Sequence, residues 1–99
     1  MSKLIALYKQ PPDPEAFDKA YFETHLPLLS KVPGLRSTSI RRVTRTLMGE
    51  GFYMLAEMDF ADLDTLKAAM RSSEMAAAGE KLNSFAAGLV TLMFAETQG

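Results

Sequence analysis

The sequence contains one histidine, His25, and histidine is the side chain best suited to moving a proton near neutral pH. On a helical wheel it falls between Tyr21 and Leu29, inside an apolar arc from which Lys19 and Glu23 are excluded. A buried imidazole without partners costs about 1–3 kcal/mol, so its placement there needs a reason. One reason is structural. Pro27 lacks an amide hydrogen and frees the carbonyl of Glu23, to which His25 could bond while fastening a helix kink. The other is chemical: a histidine in an apolar cleft is a candidate acid–base group. Glu57 is the second candidate, a carboxylate in mid-strand that an antiparallel pairing of strands one and three would bring level with His25. Its parity opposes that role. Met54, Met58 and Phe60 form the more apolar face, which belongs under the helices and turns Glu57 away, into an interface between two copies and toward an arginine of strand two.

Other chemistry is weaker. Seven methionines suit an adaptable pocket, but Met54, Met58, Met70, Met75 and Met93 fall at positions expected in the core. Tyr8, Tyr21 and Tyr53 could present hydroxyls to a cleft, and Arg36, Arg41, Arg42 and Arg45 read as a solvated edge. There is no cysteine, which excludes disulfides, thiolate zinc sites, iron–sulfur clusters and a thiol nucleophile. A lone histidine cannot build a multi-histidine zinc site, and the six glycines never fall into a phosphate-binding spacing. No cofactor is therefore expected. With 11 basic and 12 acidic residues the chain lacks the cationic excess of a nucleic-acid binder. Its longest largely apolar stretch, 85–95, is too short to cross a bilayer, and residues 4–8 are too few for a signal-peptide core. These features predict a cytoplasmic protein with no membrane partner, and 99 residues suit a single domain, 1–99.

The elements that must position these residues follow from periodicity. Residues 3–9 are apolar at both parities and end at Pro11-Pro12, as in a strand covered on both faces. Asp13 caps a helix with Pro14 at its first position; Phe17, Ala20, Tyr21, Thr24 and Leu28 form its expected stripe, with a kink or break near His25. Pro33-Gly34 is a type II turn pair. Residues 35–46 read as a polar edge strand, and 52–60 as an alternating strand. Asp62 caps a helix with Leu63, Leu66 and Met70 inward; Ser73 caps another carrying Met75, Ala78, Leu82 and Phe85, stopped by Gly88. Residues 89–96 close the chain as a fourth strand. The order βαββαβ is the ferredoxin-like pattern of the α+β class, a four-stranded antiparallel sheet with both helices on one face. Strands one and four would leave the other face apolar, so a homodimer with facing sheets is expected.

Asp13-Pro14-Glu15-Ala16-Phe17, Phe22-Glu23-Thr24-His25-Leu26-Pro27-Leu28 and Pro33-Gly34-Leu35 resemble the EthD family. The likeness continues through Ala56-Glu57, Phe60, Leu63 and Leu66 into Gly88-Leu89-Val90-Thr91, and so spans nearly the whole chain. The resemblance implies a dimeric α/β barrel of two ferredoxin-like subunits. It places the family histidine on His25, with Phe22 and Pro27 beside it. The family takes its name from ethyl tert-butyl ether degradation, where a member accompanies a cytochrome P450 system. Similar barrels include muconolactone isomerases, polyketide cyclases, cofactor-free monooxygenases and haem-degrading enzymes. The expectation is a small cofactor-free protein that binds an apolar or aromatic oxygenated metabolite, as a degradative enzyme or an accessory to an oxygenase system. His25 would be catalytic, with Tyr21, Phe22, Met54 and Met58 as substrate-binding walls. The competing expectation is a non-catalytic homodimeric binding module with a structural histidine; haem held by His25 is a third, resting on that one residue.

Overall fold

A computed structural model describes residues 1–98. Strand β1 (Ser2–Tyr8) leads into helix α1 (Pro14–Ala20), a π-helical segment (Tyr21–His25) and a short α2 (Leu26–Leu29). Then come β2 (Ser37–Arg42), β3 (Met54–Phe60), α3 (Leu63–Met70), α4 (Ser73–Ala86) and β4 (Val90–Glu96). The sheet has the order β2-β3-β1-β4 with every neighbour antiparallel, the expected ferredoxin-like arrangement. β2 is shorter than the 35–46 expected, and the polar residues after Arg42 form the connection to β3 instead.

Strand parity follows the sequence pattern. Leu4, Ala6 and Tyr8 of β1 and Met54, Ala56, Met58 and Phe60 of β3 are buried beneath the helices. Their alternates Ile5, Leu7 and Leu55 are only half-buried, so the second face of β1 is incompletely covered. Glu57 stands on that open face, 3.6 Å from both Lys3 and Arg41, and is separated from His25 by the sheet. The β4 edge is barer still. Among the described residues no helix packs closely over its inner side, where Leu92 and Phe94 are each 49% exposed, and Met93, beside Ile5 on the open face, is 39% exposed rather than the core residue that its hydropathy suggests.

Local details of the helices differ from or refine the expectation. Of the kink or break expected near His25 from Pro27, the helix shows no break but a local distortion, a π turn over Tyr21–His25. The Leu26 amide reaches back five residues to the Tyr21 carbonyl, and this wide π turn accommodates a ring that would otherwise crowd the carbonyl of Glu23. The wider turn rotates the stripe, so the buried residues are Phe17, Tyr21, His25 and Leu29, four apart, while Thr24 is exposed and Leu28 only partly covered. In α3 only Leu66 and Ala69 reach the core, and Leu63 and Met70 stay more than a third exposed. The cap of α4 is Ser72 rather than Ser73, its hydroxyl accepting the Met75 amide at 3.1 Å. Asp13 and Asp62 cap α1 and α3 as expected. Gly34, at φ 81°, supplies the left-handed residue of the Pro33-Gly34 turn; a Cβ there would sit 2.6 Å from Thr65 Cγ2.

Candidate functional site

His25 is held by two elements that are distant in sequence. The π segment delivers it to the inner face of the helix layer, where it is 4% exposed. Its Nδ1 lies 3.0 Å from the carbonyl oxygen of Ala78 on α4. The partner is therefore on the neighbouring helix, not the Glu23 carbonyl, and the bond fastens α4 to the π turn. A carbonyl oxygen can only accept, so Nδ1 donates and the neutral ring carries its lone pair on Nε2. Among the described residues Nε2 has no hydrogen-bond partner, and it is not sealed from solvent. Burial pushes the pKa of His25 below its ordinary value, with the Ala78 bond opposing, so the neutral form is favoured.

The ring borders a cavity of about 230 Å³ between sheet and helices. Leu4, Met58 and Leu92 form the sheet side; Leu29, Met70 and residues of α4, including Met75, Gly79 and Leu82, form the helix side. Met70 and Leu92 are partly exposed and mark the mouth. His25 is the one ionisable group in the lining. Gly79 was not singled out by sequence reasoning, although a glycine inside a helix costs about 0.8–1.0 kcal/mol against alanine. No packing contact requires it: a Cβ built there meets nothing within 4 Å. Its missing side chain leaves room in the cavity. That mid-helix glycine was the legible signal.

Of the walls expected from the sequence, Met58 lines this cavity directly. Tyr21 is fully buried behind the histidine, ring centroids 5.1 Å apart, and packs edge-on against Tyr8 and parallel to Phe17. Burial pushes its phenol up to about 12, with the neighbouring Tyr8 hydroxyl opposing, although among the described residues no group meets full hydrogen-bond geometry with the Tyr21 hydroxyl. Phe22 is 41% exposed and touches the site only through Tyr21. Met54 is fully buried farther along β3, outside the lining. A separate cluster pins α1 to the sheet. Asp18 accepts from Tyr53 at 2.9 Å and from Arg42 at 3.1 Å, and the guanidinium lies 4.2 Å over the Tyr53 ring. Arg41 and Arg42 thus have carboxylate partners within the chain. Among the described residues no group of three or more His, Cys, Asp or Glu could hold a metal ion, and no helix is long and apolar enough to cross a membrane.

A four-stranded antiparallel sheet in ferredoxin-like order, helices packed on one of its faces and one histidine lining a cleft between the two layers define an α+β protein of the ferredoxin-like fold. The EthD domain model matches residues 9–88, and the chain belongs to the EthD family. An EthD family protein from Bacillus halodurans C-125 is 47% identical, with a TM-score of 0.93 over 99% of both chains. An uncharacterised 11.0 kDa protein from the thcB-thcC intergenic region of Rhodococcus erythropolis is 29% identical over 99% of this chain and 96% of its own length. At lower identity, where the likeness shows the fold alone, two more solved structures stand out. A dimeric ferredoxin-like protein of unknown function from Jannaschia sp. CCS1 is 16% identical, with a TM-score of 0.72 over 98% of this chain and 100% of its own. SnoaB, a cofactor-independent oxygenase from Streptomyces nogalater, is 11% identical, with a TM-score of 0.71 over 99% and 93%.

Proposed function

We propose that this protein binds a compact apolar or aromatic oxygenated metabolite in the cavity beside His25, which serves as the acid–base or hydrogen-bonding group. The observation that carries this reading is the pairing of an apolar space of about 230 Å³ with a single ionisable lining residue. Small-molecule sites are commonly apolar with a few placed polar groups. Met58 is a wall, with Tyr21 and Phe22 supporting the histidine and Met54 the strand behind it. All 99 residues act as one EthD-like domain in the cytoplasm. The family membership and a cofactor-independent oxygenase of the same fold support a degradative step, or service to an oxygenase system, that needs no resident cofactor. A second reading, a binding module without catalysis, is favoured by the Nδ1 bond to Ala78, which gives the histidine a purely structural task.

Thermal shift against a panel of small phenols, aryl ethers and alkanols tests the binding itself, since a ligand of the native state raises its melting temperature. Wild type should be stabilised, and Gly79→Leu, which fills the cavity from a helical position with open space before it, should fold and lose the response. A panel without effect, or an unchanged response in Gly79→Leu, would remove the cavity from consideration.

The assembly belongs to the same proposal. Ile5, Leu7, Leu55 and Met93 make an apolar patch on the open face of the sheet, beside the Lys3–Asp59 and Glu57–Arg41 pairs. A second copy laid sheet to sheet would cover it, and a ferredoxin-like neighbour described as dimeric supports pairing as such. Sedimentation at micromolar concentration should give a dimer for wild type and a folded monomer for Leu7→Asp, whose carboxylate would be buried without a partner between two sheets. A monomeric wild type would end the dimer proposal.

A further inference from the structure

The tautomer of His25 sets which ligands the cavity can hold, and we propose that the site selects a hydroxyl-bearing ligand, a compact phenol or alkanol, over an ether or carbonyl compound of the same size. This deepens the binding reading given above and rests on it. Nδ1 is committed as a donor because its partner, the Ala78 carbonyl at 3.0 Å, can only accept. Among the described residues Nε2 has no hydrogen-bond partner, and with Nδ1 turned to Ala78 we take Nε2 as the ring atom that meets the cavity His25 lines, as a lone pair. A lone pair attracts an O–H and repels the oxygen of an ether or ketone. The remaining lining supplies no compensating donor. Met58, Met70, Met75 and Leu82 offer carbon and thioether sulfur, and Gly79 offers open helix surface.

Size and lining narrow the class further. An apolar cavity of about 150 Å³ holds benzene, so a space half as large again suits roughly nine heavy atoms. Three methionines around one space favour an aromatic ring, because thioether sulfur packs well against ring edges. A small alkylphenol meets every condition. With Nε2 as acceptor, the histidine is also placed to take that hydroxyl proton as a general base.

Two isomeric probes separate the hydroxyl from everything else. 4-Ethylphenol and 4-methylanisole have the same atoms and nearly the same shape, but only the phenol can donate. Titration calorimetry of the full-length protein at about pH 8, where histidine is neutral and a phenol is not ionised, should show the phenol binding at least about tenfold tighter. His25→Phe, which keeps a ring in place, should abolish the difference between the two probes. Equal binding of both isomers by wild type, or tighter binding of the ether, would overturn the selectivity and leave the cavity as an apolar site. Binding of neither would overturn the cavity reading and the selectivity with it. The wild-type comparison decides even if the phenylalanine variant fails to fold.

Discussion

Ala56→Asp is expected to abolish folding. Ala56 is fully buried at the centre of β3, with Ala6 and Ile40 as its cross-strand neighbours, so the new carboxylate would meet no cation. Breaking an apolar core with an unpaired buried charge costs several kcal/mol, against a total stability of about 5–15 kcal/mol. The control lies one residue away. Glu57 already carries a carboxylate on the opposite face, between Lys3 and Arg41, and Glu57→Gln should change stability by about 1 kcal/mol or less. Circular dichroism and urea denaturation of both variants check this directly. A folded Ala56→Asp protein with a carboxyl of ordinary pKa would mean that the parity of β3 is reversed.

Replacing His25 is expected to affect function far more than fold. His25→Asn and His25→Ala should both fold, the alanine variant losing about 1–3 kcal/mol as the tie to Ala78 disappears. Turnover of the metabolite should fall by about 10²–10⁴-fold in both, the usual contribution of a general acid or base. Full activity in the asparagine variant, alongside a large stability loss in alanine, would leave a structural histidine. The pH dependence gives an independent check. The folded state holds His25 below its ordinary value of 6.5 by burial, so the unfolded chain takes up the proton first as pH falls. Stability associated with the neutral ring is complete above 6.5 and declines as pH drops from there toward the lowered folded-state value. The difference between wild type and His25→Asn should therefore shrink over that interval. A difference that grows on acidification would contradict a buried neutral imidazole.

Much of this architecture is written in local pattern. The alternation in 52–60 assigns Met54, Met58 and Phe60 to the covered face because strand side chains repeat every two residues. Asp13 and Asp62 announce their helices because a short carboxylate beside free amides can hardly do otherwise. His25 was legible as a buried histidine for the same reason, since an apolar arc is a property of its own helix. The resemblance to the EthD family was likewise carried by contiguous residues, and the domain match agrees with it.

What the sequence alone could not determine is what lies across from each element. The Ala78 carbonyl is a backbone atom, identical in every residue, and only the packing of α4 against the π turn selects it as the partner of His25. Pro27 signals a disturbed helix but does not say whether the chain will break or widen; burial of the 17, 21, 25, 29 stripe resolves it as a π turn. Met93 and Met70 are as apolar as Met54, yet they stand at an edge strand and a helix end, where they stay more than a third exposed. The cavity is the clearest case. It is a volume bounded by residues from Leu4 to Leu92, so its size and its one polar contact exist only after long-range packing brings two layers together.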